Sequence, residues 1–150
     1  MTRRRIDIRA CADRIETLQR GCGAIPWIER GIWDPWNHGE SAMALAVAGR
    51  DAAAEKALDA LADRQETDGG WRAELGASAP MDAGNQHLDP PEHLETARDT
   101  NFAGYAAVTV LRTAMALDSP RLIARHAAMV ERALDFVLER QTRHGDVVWK

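Results

Sequence analysis

The 150-residue chain lacks several features that would place it in a common functional class. Its two cysteines, Cys11 and Cys22, have neither the CxxC spacing of a metal or redox site nor the number needed for a disulfide framework. No apolar run reaches about 18 residues, the length that spans a bilayer. A net charge of −4 provides no basic face for nucleic acid. We therefore expect a reduced, cytoplasmic protein without a transmembrane segment or a nucleic-acid partner.

β-Branched residues are also few, whereas alanine is abundant, so the composition favours helices over strands. Apolar residues at helical spacing predict five helices, over residues 8–20, 37–49, 51–65, 100–117 and 120–142. We expect Gly49 to end the second helix, Asp51 to cap the third, and Ser119 with Pro120 to open the fifth. The prediction is an all-α fold in a single domain, residues 1–150.

Three segments share one pattern, in which a helix ends in glutamine and is followed by glycine and tryptophan. They are Gln19…Trp27, Gln65-x-x-x-Gly69-Gly70-Trp71 and Gln141-x-x-x-Gly145…Trp149. The first two glutamines are 46 residues apart and the last two are 76 apart. Removing an insertion of about 30 residues restores a period typical of helix-pair repeats. We therefore predict α/α-hairpin repeats at 1–50, at 51–117 with the insertion 72–98, and at 118–150, the last incomplete.

In each unit the glutamine can satisfy backbone groups at a helix end, and the glycine lets the chain leave the helix. The tryptophan can then cover the turn. We interpret the unit as a structural clamp that ties each hairpin to the next.

The insertion at 72–98 mixes glycine and proline with acidic residues and histidines. A segment of this length without a helical pattern is either a functional lid or disordered. Its acid- and histidine-rich part offers metal-ligating groups in a spacing that matches no specific site: His87, Asp89, Glu92, His93 and Glu95. We interpret this part as a solvated acidic loop and expect neither a metal nor another cofactor.

Polar residues cluster at the starts of the second and fourth helices. Helix capping accounts for Asp34, Asn37 and Thr100 but does not require His38 or Glu40. A histidine and carboxylates in one cavity mouth can perform general acid–base chemistry. The predicted catalytic residues are Asp34, His38, Glu40 and Asp99, and the predicted substrate-binding residues are Trp36, Asn37, Asn101 and Tyr105. Asn101, Tyr105, Thr109 and Arg112 form a polar stripe that either lines the cavity or faces solvent.

The Gln–Gly–Trp units resemble the QW motifs of the squalene–hopene cyclase and protein prenyltransferase superfamily, whose members fold as α/α toroids. "DPWNHGESAMALAVAG" (34–49) and "DTNFAGYAAV" (99–108) are similar to segments of bacterial prenyltransferase-like or squalene-cyclase-like proteins. This resemblance implies part of an α/α toroid and a small, apolar, isoprenoid substrate in its central cavity. It also implies the activity of a transferase or terpenoid cyclase. The Asp-x-Asp-Asp and Asp-Asp-x-x-Asp motifs of alkene-protonating and diphosphate-ionising enzymes are absent.

Two other functions fit the same residues. A carbohydrate-active enzyme of the related six-hairpin architecture would use Asp34 or Glu40 with Asp99 as an acid–base pair. A non-catalytic helical-repeat module would bind a partner through its concave face. Because three repeats make about half of a six-hairpin ring, we also expect a homodimer or a complementary half-ring chain that covers the apolar inner surface.

Overall fold

A computed structural model of the chain describes residues 6–29, 31–76 and 98–149. These residues form five α-helices: α1 (Ile8–Leu18), α2 (Pro35–Val47), α3 (Asp51–Asp63), α4 (Thr100–Ala116) and α5 (Pro120–Leu138). In this part of the chain the only β structure is three isolated bridges. The all-α prediction is confirmed, although α5 ends at Leu138 and not near residue 142. None of the described helices is long and apolar enough to cross a membrane.

The predicted turn residues fall close to the observed helix boundaries. Gly49 follows the C-cap of α2 with φ of +73°, and Pro120 is the first residue of α5, as predicted. The prediction that Asp51 caps α3 is wrong, because the N-cap is Arg50 and Asp51 is the first helical residue. There its negative charge lies at the positive end of the helix dipole.

The two helices α2 and α4 pack side by side and run in the same direction. Trp36 stacks on Tyr105, and about one turn further along both helices Gly39 contacts Thr109. A Cβ atom at Gly39 would overlap the Thr109 hydroxyl, so glycine is what allows this close approach. The starts of both helices, where the polar residues cluster, therefore lie at the same end of the molecule.

The outer helices cover this pair, with α3 packed on α2 and α5 packed on α4. The largest side chains of the main core come from both outer helices and from the segments that precede α2 and follow α3. They are Trp33, Leu58, Leu61, Trp71, Leu122 and Phe136, each no more than 1% exposed. The five described helices confirm the all-α class but do not confirm the toroid.

The glutamine units join successive outer helices, as the clamp interpretation predicts. The Gln19 side-chain amide donates to the Gly23 carbonyl at 3.1 Å and to the Ala53 carbonyl of α3 at 2.9 Å. Gln65 repeats this arrangement with the carbonyls of Gly69, at 2.9 Å, and of Met129 in α5, at 2.8 Å. Each bond to the next helix satisfies a side-chain donor and fixes the position of that helix.

The three tryptophans of the units do not share one role. Trp71 is fully buried and donates to the Leu61 carbonyl at 2.9 Å, so it covers its turn as predicted. For Trp27 and Trp149, which are 45% and 63% exposed, that prediction is wrong. They follow their glutamines by eight residues and not by six, and this extra length carries each indole to a carboxylate at a helix start.

The first and last residues of the predicted insertion, Arg72 and Arg98, are paired by an antiparallel β-bridge. Residues 77–97, which include His87, Asp89, Glu92, His93 and Glu95, lie outside the described residues. The lid and acidic-loop interpretations and the division into repeats therefore stay predictions.

Candidate functional site

Asp34 is the N-cap of α2 and is almost completely buried. Its Oδ1 accepts from the Asn37 backbone N–H at 2.9 Å, and its Oδ2 accepts from the Asn37 side-chain amide at 2.7 Å. The Trp27 indole also donates to Oδ2. Proline at the first helical position and an aspartate cap give α2 a well-defined start. Both carboxylate oxygens of Asp34 are therefore engaged in holding that start.

Asp99 has the corresponding place at the start of α4. Its Oδ1 accepts from the Asn101 backbone N–H at 2.8 Å, and its Oδ2 accepts from the Trp149 indole at 2.8 Å. The neighbouring Thr100 hydroxyl donates to the carbonyls of Val148 and Trp149. The 147–149 segment is thus fixed across the start of α4, beside the predicted binding residue Asn101.

His38 lies below this surface, with only 1% of it exposed. Its Nδ1 accepts from the Ile25 N–H at 3.1 Å, so Nε2 carries the proton and donates to the Ala57 carbonyl at 2.8 Å. With both ring nitrogens bonded to backbone, His38 joins α2 to α3 and to the segment before α2. This geometry gives it a structural role and leaves no ring nitrogen for a substrate.

The buried state of His38 predicts a loss of stability in acid. Burial lowers the pKa of His38 to about 4, against the opposing effects of the Ala57 carbonyl and the Asp34 charge. The unfolded chain takes up the proton below about 6.5, so stability falls as the pH drops from about 6.5 to about 4, by about 3 kcal/mol in full. Urea unfolding across this range measures the effect.

The matched variants are His38→Gln, whose amide keeps one donor and one acceptor, and His144→Gln on an exposed histidine. We expect His38→Gln to flatten most of the pH dependence and His144→Gln to leave it unchanged. Burial also lowers the pKa of His126, so a smaller dependence in the same direction remains. An equal slope in His38→Gln and in the unsubstituted protein would contradict the assignment.

Glu40 is the predicted catalytic carboxylate that reaches the surface. Its Oε1 accepts from the Trp36 indole at 3.0 Å and from the Tyr105 hydroxyl at 3.3 Å. The Trp36 and Tyr105 rings stack with centroids 5.1 Å apart and planes 21° from parallel. Burial and the Glu40 charge raise the pKa of Tyr105, which keeps its hydroxyl protonated as a donor. The carboxylate is thus fixed above an aromatic pair.

Two clefts lie on either side of this group. The first, of about 690 Å³, lies between α1 and α2 and is lined by Ile15, Leu18, Ile25, Pro26, Trp27, Asn37, Glu40, Ser41 and Ala44. The second, of about 400 Å³, lies at the start of α4 and is lined by Trp36, Thr100, Asn101, Gly104, Tyr105, Val137, Val147 and Trp149. Both combine apolar walls with a few polar groups, the usual character of a small-molecule site.

The structure brings most of the predicted site residues to these two clefts. Glu40 and Asn37 line the first, Trp36, Asn101 and Tyr105 line the second, and the buried carboxylates of Asp34 and Asp99 each hold a tryptophan of one cleft wall. The polar stripe of α4 faces α2 at Thr109, which is 1% exposed, while Arg112 is at the surface.

Sequence reasoning missed Trp27 and Trp149 as lining residues, because all three unit tryptophans were given one architectural role. The signal was present in their spacing, eight residues after glutamine in both cases and six for the buried Trp71. The described residues contain no group of three or more His, Cys, Asp or Glu side chains that could hold a metal ion.

A known mannosidase is similar to most of this chain. No family model matches the chain. The chain is 33% identical, over 141 residues, to the MMP endo-(1,4)-3-O-methyl-alpha-D-mannosidase of Mycolicibacterium hassiacum. The match covers 94% of this chain and 36% of that protein, so the chain spans about a third of the length of its relative.

The assignment to the squalene–hopene cyclase and prenyltransferase superfamily is therefore wrong, and with it the expectation of an isoprenoid substrate and of transferase or terpenoid chemistry. The relative carries the name of a mannosidase. The physical reason for the error lies in the Gln–Gly–Trp unit. Among the described residues, Gln19 and Gln65 donate to backbone carbonyls, and Gln65 also accepts from Arg132. The unit is therefore a feature of hairpin packing and does not indicate what a cavity binds.

Proposed function

We propose that this chain is a carbohydrate-active domain that acts on an α-mannose oligosaccharide, with O-methylated, 1,4-linked mannose as the first substrate class to test. The match to a mannosidase over 94% of the chain is the observation that carries this proposal. The free thiols of Cys11 and Cys22 suit the cytoplasmic location that we include in it.

The position of Glu40 supports an action within an oligosaccharide chain. Its carboxylate lines the first cleft, and its hydrogen-bond partners Trp36 and Tyr105 line the second. An oligosaccharide that crosses α2 at this point would place sugar units in both clefts and one glycosidic bond beside Glu40. Cleavage there would be internal, because sugars would be bound on both sides of the bond.

The lining residues suit a methylated sugar. Trp36, Tyr105 and Trp149 offer aromatic surface, and Val137 and Val147 add aliphatic surface. Such groups pack against the C–H face of a pyranose ring and against O-methyl groups, while the Asn101 amide can bond to a hydroxyl. The mixed lining is compatible with a sugar, and the similarity to a mannosidase favours a sugar over the purely apolar substrate expected from the sequence.

The reaction in this proposal needs two carboxyl groups, one to protonate the leaving oxygen and one to activate water or attack the sugar. We assign the first role to Glu40, the exposed member of the set. Asp99, beside Thr100 and Asn101 at the second cleft, is the candidate for the second role. Asp34 is assigned to positioning, because it is 1% exposed and accepts three hydrogen bonds from Asn37 and Trp27, whereas Asp99 is 7% exposed and accepts two.

Incubation of the purified chain with α-(1,4)-linked 3-O-methylmannose oligosaccharides tests the proposal. We expect shorter oligosaccharides, with both fragments longer than one sugar, to be detected by mass spectrometry. Unmethylated α-(1,4)-mannose oligosaccharides of equal length are the matched substrate control and should react more slowly. Binding without cleavage would contradict the hydrolytic part of the proposal, and neither binding nor cleavage of either oligosaccharide would contradict the whole.

A further inference from the structure

The glutamine unit at the end of α5 is fully formed, yet no helix of the described chain is bound to it. The Gln141 amide donates to the Gly145 carbonyl at 2.9 Å, and Gly145 has φ of +91°, as in the two other units. In those units the backbone of the next outer helix lies against the glycine. A Cβ atom at Gly23 would overlap the Lys56 carbonyl, and one at Gly69 would overlap the Arg132 carbonyl. At Gly145 the nearest described atom is the Gln141 side-chain nitrogen of the same unit, at 4.0 Å.

The two occupied units hold the next helix in one fixed register. The bonded carbonyls, Ala53 and Met129, each lie 12 residues before the glutamine that ends their own helix. Lys56 and Arg132, which contact the unit glycines, each lie nine residues before that glutamine. The unit therefore recognises a particular position on an outer helix.

Among the described helices, one further outer helix has corresponding positions that no glutamine unit of residues 6–29, 31–76 and 98–149 contacts. This helix is α1, which ends at Gln19 as α3 and α5 end at Gln65 and Gln141. Asp7 lies 12 residues before Gln19, so its carbonyl is equivalent to those of Ala53 and Met129. Ala10 lies nine residues before Gln19 and is equivalent to Lys56 and Arg132. Both residues are exposed.

The same register pairs opposite charges. Five residues before their glutamines, Ala60 and Phe136 pack against the glycines of the preceding unit. In α1 this position is Arg14, which is exposed, and the residue after Gly145 is Asp146, also exposed. An α1 helix bound in register at the third unit would thus bring Arg14 next to Asp146.

The surface beside the third unit carries apolar side chains that the described residues leave partly exposed. Leu134 holds the position in α5 that Leu58 holds in α3, seven residues before the glutamine. Leu58 is fully buried and Leu134 is 42% exposed. On α1, the first of the three outer helices, Ile8 is 58% exposed. Each end therefore presents apolar surface that the equivalent contact inside the molecule would cover.

We infer that the 141–145 turn of one chain binds α1 of a second copy, head to tail, in the register of the two internal units. The Gln141 amide bonds to the Asp7 carbonyl of the other copy, the Ala10 backbone lies against Gly145, and Arg14 faces Asp146. The contact joins two different surfaces, so repeated association gives a closed ring or an open array. This inference is independent of the substrate proposed above.

Charge reversal at exposed residues tests the contact without disturbing the core. We expect sedimentation velocity to show species larger than the 16.6 kDa monomer as the concentration rises. Arg14→Asp and Asp146→Arg should each weaken association by about fivefold, because each places like charges together. The double variant, which restores an opposite pair, should regain most of the lost affinity. Asp63→Arg, the same reversal at the exposed end of α3, is the matched control and should leave association unchanged.

The contact also depends on the amide group of Gln141. Gln141→Glu replaces its donor with a carboxylate that repels the Asp7 carbonyl, and it should weaken association in the same way. A 16.6 kDa particle at every concentration would overturn the inference. The inference would also be overturned if the Arg14→Asp/Asp146→Arg double variant associated as weakly as the single variants.

Discussion

Replacing Gly69 with alanine is expected to lower the free energy of unfolding by about 4 kcal/mol. Two costs combine at this position. The backbone has φ of +89°, a conformation that is strained for any residue with a Cβ atom. The added Cβ would also overlap the Arg132 carbonyl of α5, a backbone atom that cannot move without displacing the helix. Urea unfolding followed by circular dichroism measures the loss.

Gly49→Ala separates the two costs. Gly49 also has a positive φ, +73°, but nothing lies within 4 Å of the position that its Cβ would take. We expect this control to lose only about 1 kcal/mol, the backbone strain alone. Gly23→Ala, which would overlap the Lys56 carbonyl, should resemble Gly69→Ala. Equal losses at Gly49 and Gly69 would show that the contact with α5 contributes nothing to stability.

The Gln–Gly–Trp units could be predicted because they depend on residue types that can be recognised in the sequence. A glutamine, a glycine four residues later and a tryptophan recur beyond the ends of α1, α3 and α5. The partners of the glutamines could not be predicted, since Ala53 and Met129 contribute only backbone carbonyls, which every residue has. Packing of α3 and α5 decides which carbonyl is reached.

The candidate site was predicted in composition but not in the role of each residue. The start of α2 carries Asp34, Asn37, His38 and Glu40 within about two turns, so the sequence shows a polar cluster and not its orientation. Burial separates the members. His38 faces α3 and bonds only to backbone, whereas Glu40 reaches the surface beside an aromatic pair.

The substrate class could not be read from the helical pattern. The features that suggested an isoprenoid cavity, the Gln–Gly–Trp units, stabilise the packing of hairpins, which proteins of quite different activity share. The aromatic residues that line the clefts, Trp36, Tyr105 and Trp149, suit a sugar as well as a hydrocarbon. Only the relation to a mannosidase separates these two interpretations.

If the proposed function holds, Glu40→Gln should reduce the rate of oligosaccharide cleavage by about 100-fold or more, the usual contribution of a positioned acid or base. The glutamine side chain has the same shape, and its oxygen can still accept from the Trp36 indole and the Tyr105 hydroxyl. The site therefore keeps its geometry and loses only the group that exchanges a proton. The rate constant should fall while KM and the free energy of unfolding change little.

Two further variants serve as controls for Glu40→Gln. Glu131→Gln, at an exposed position of α5, removes the same charge away from both clefts and should leave the rate unchanged. Asp34→Asn should act differently, because the new amide group would meet the Asn37 and Trp27 donors in a buried site and destabilise the start of α2. We expect it to lower stability and activity together. A Glu40→Gln protein with full activity would exclude Glu40 as the acid and leave Asp99 as the carboxylate to test, because its Oδ2 bonds to Trp149 of the second cleft.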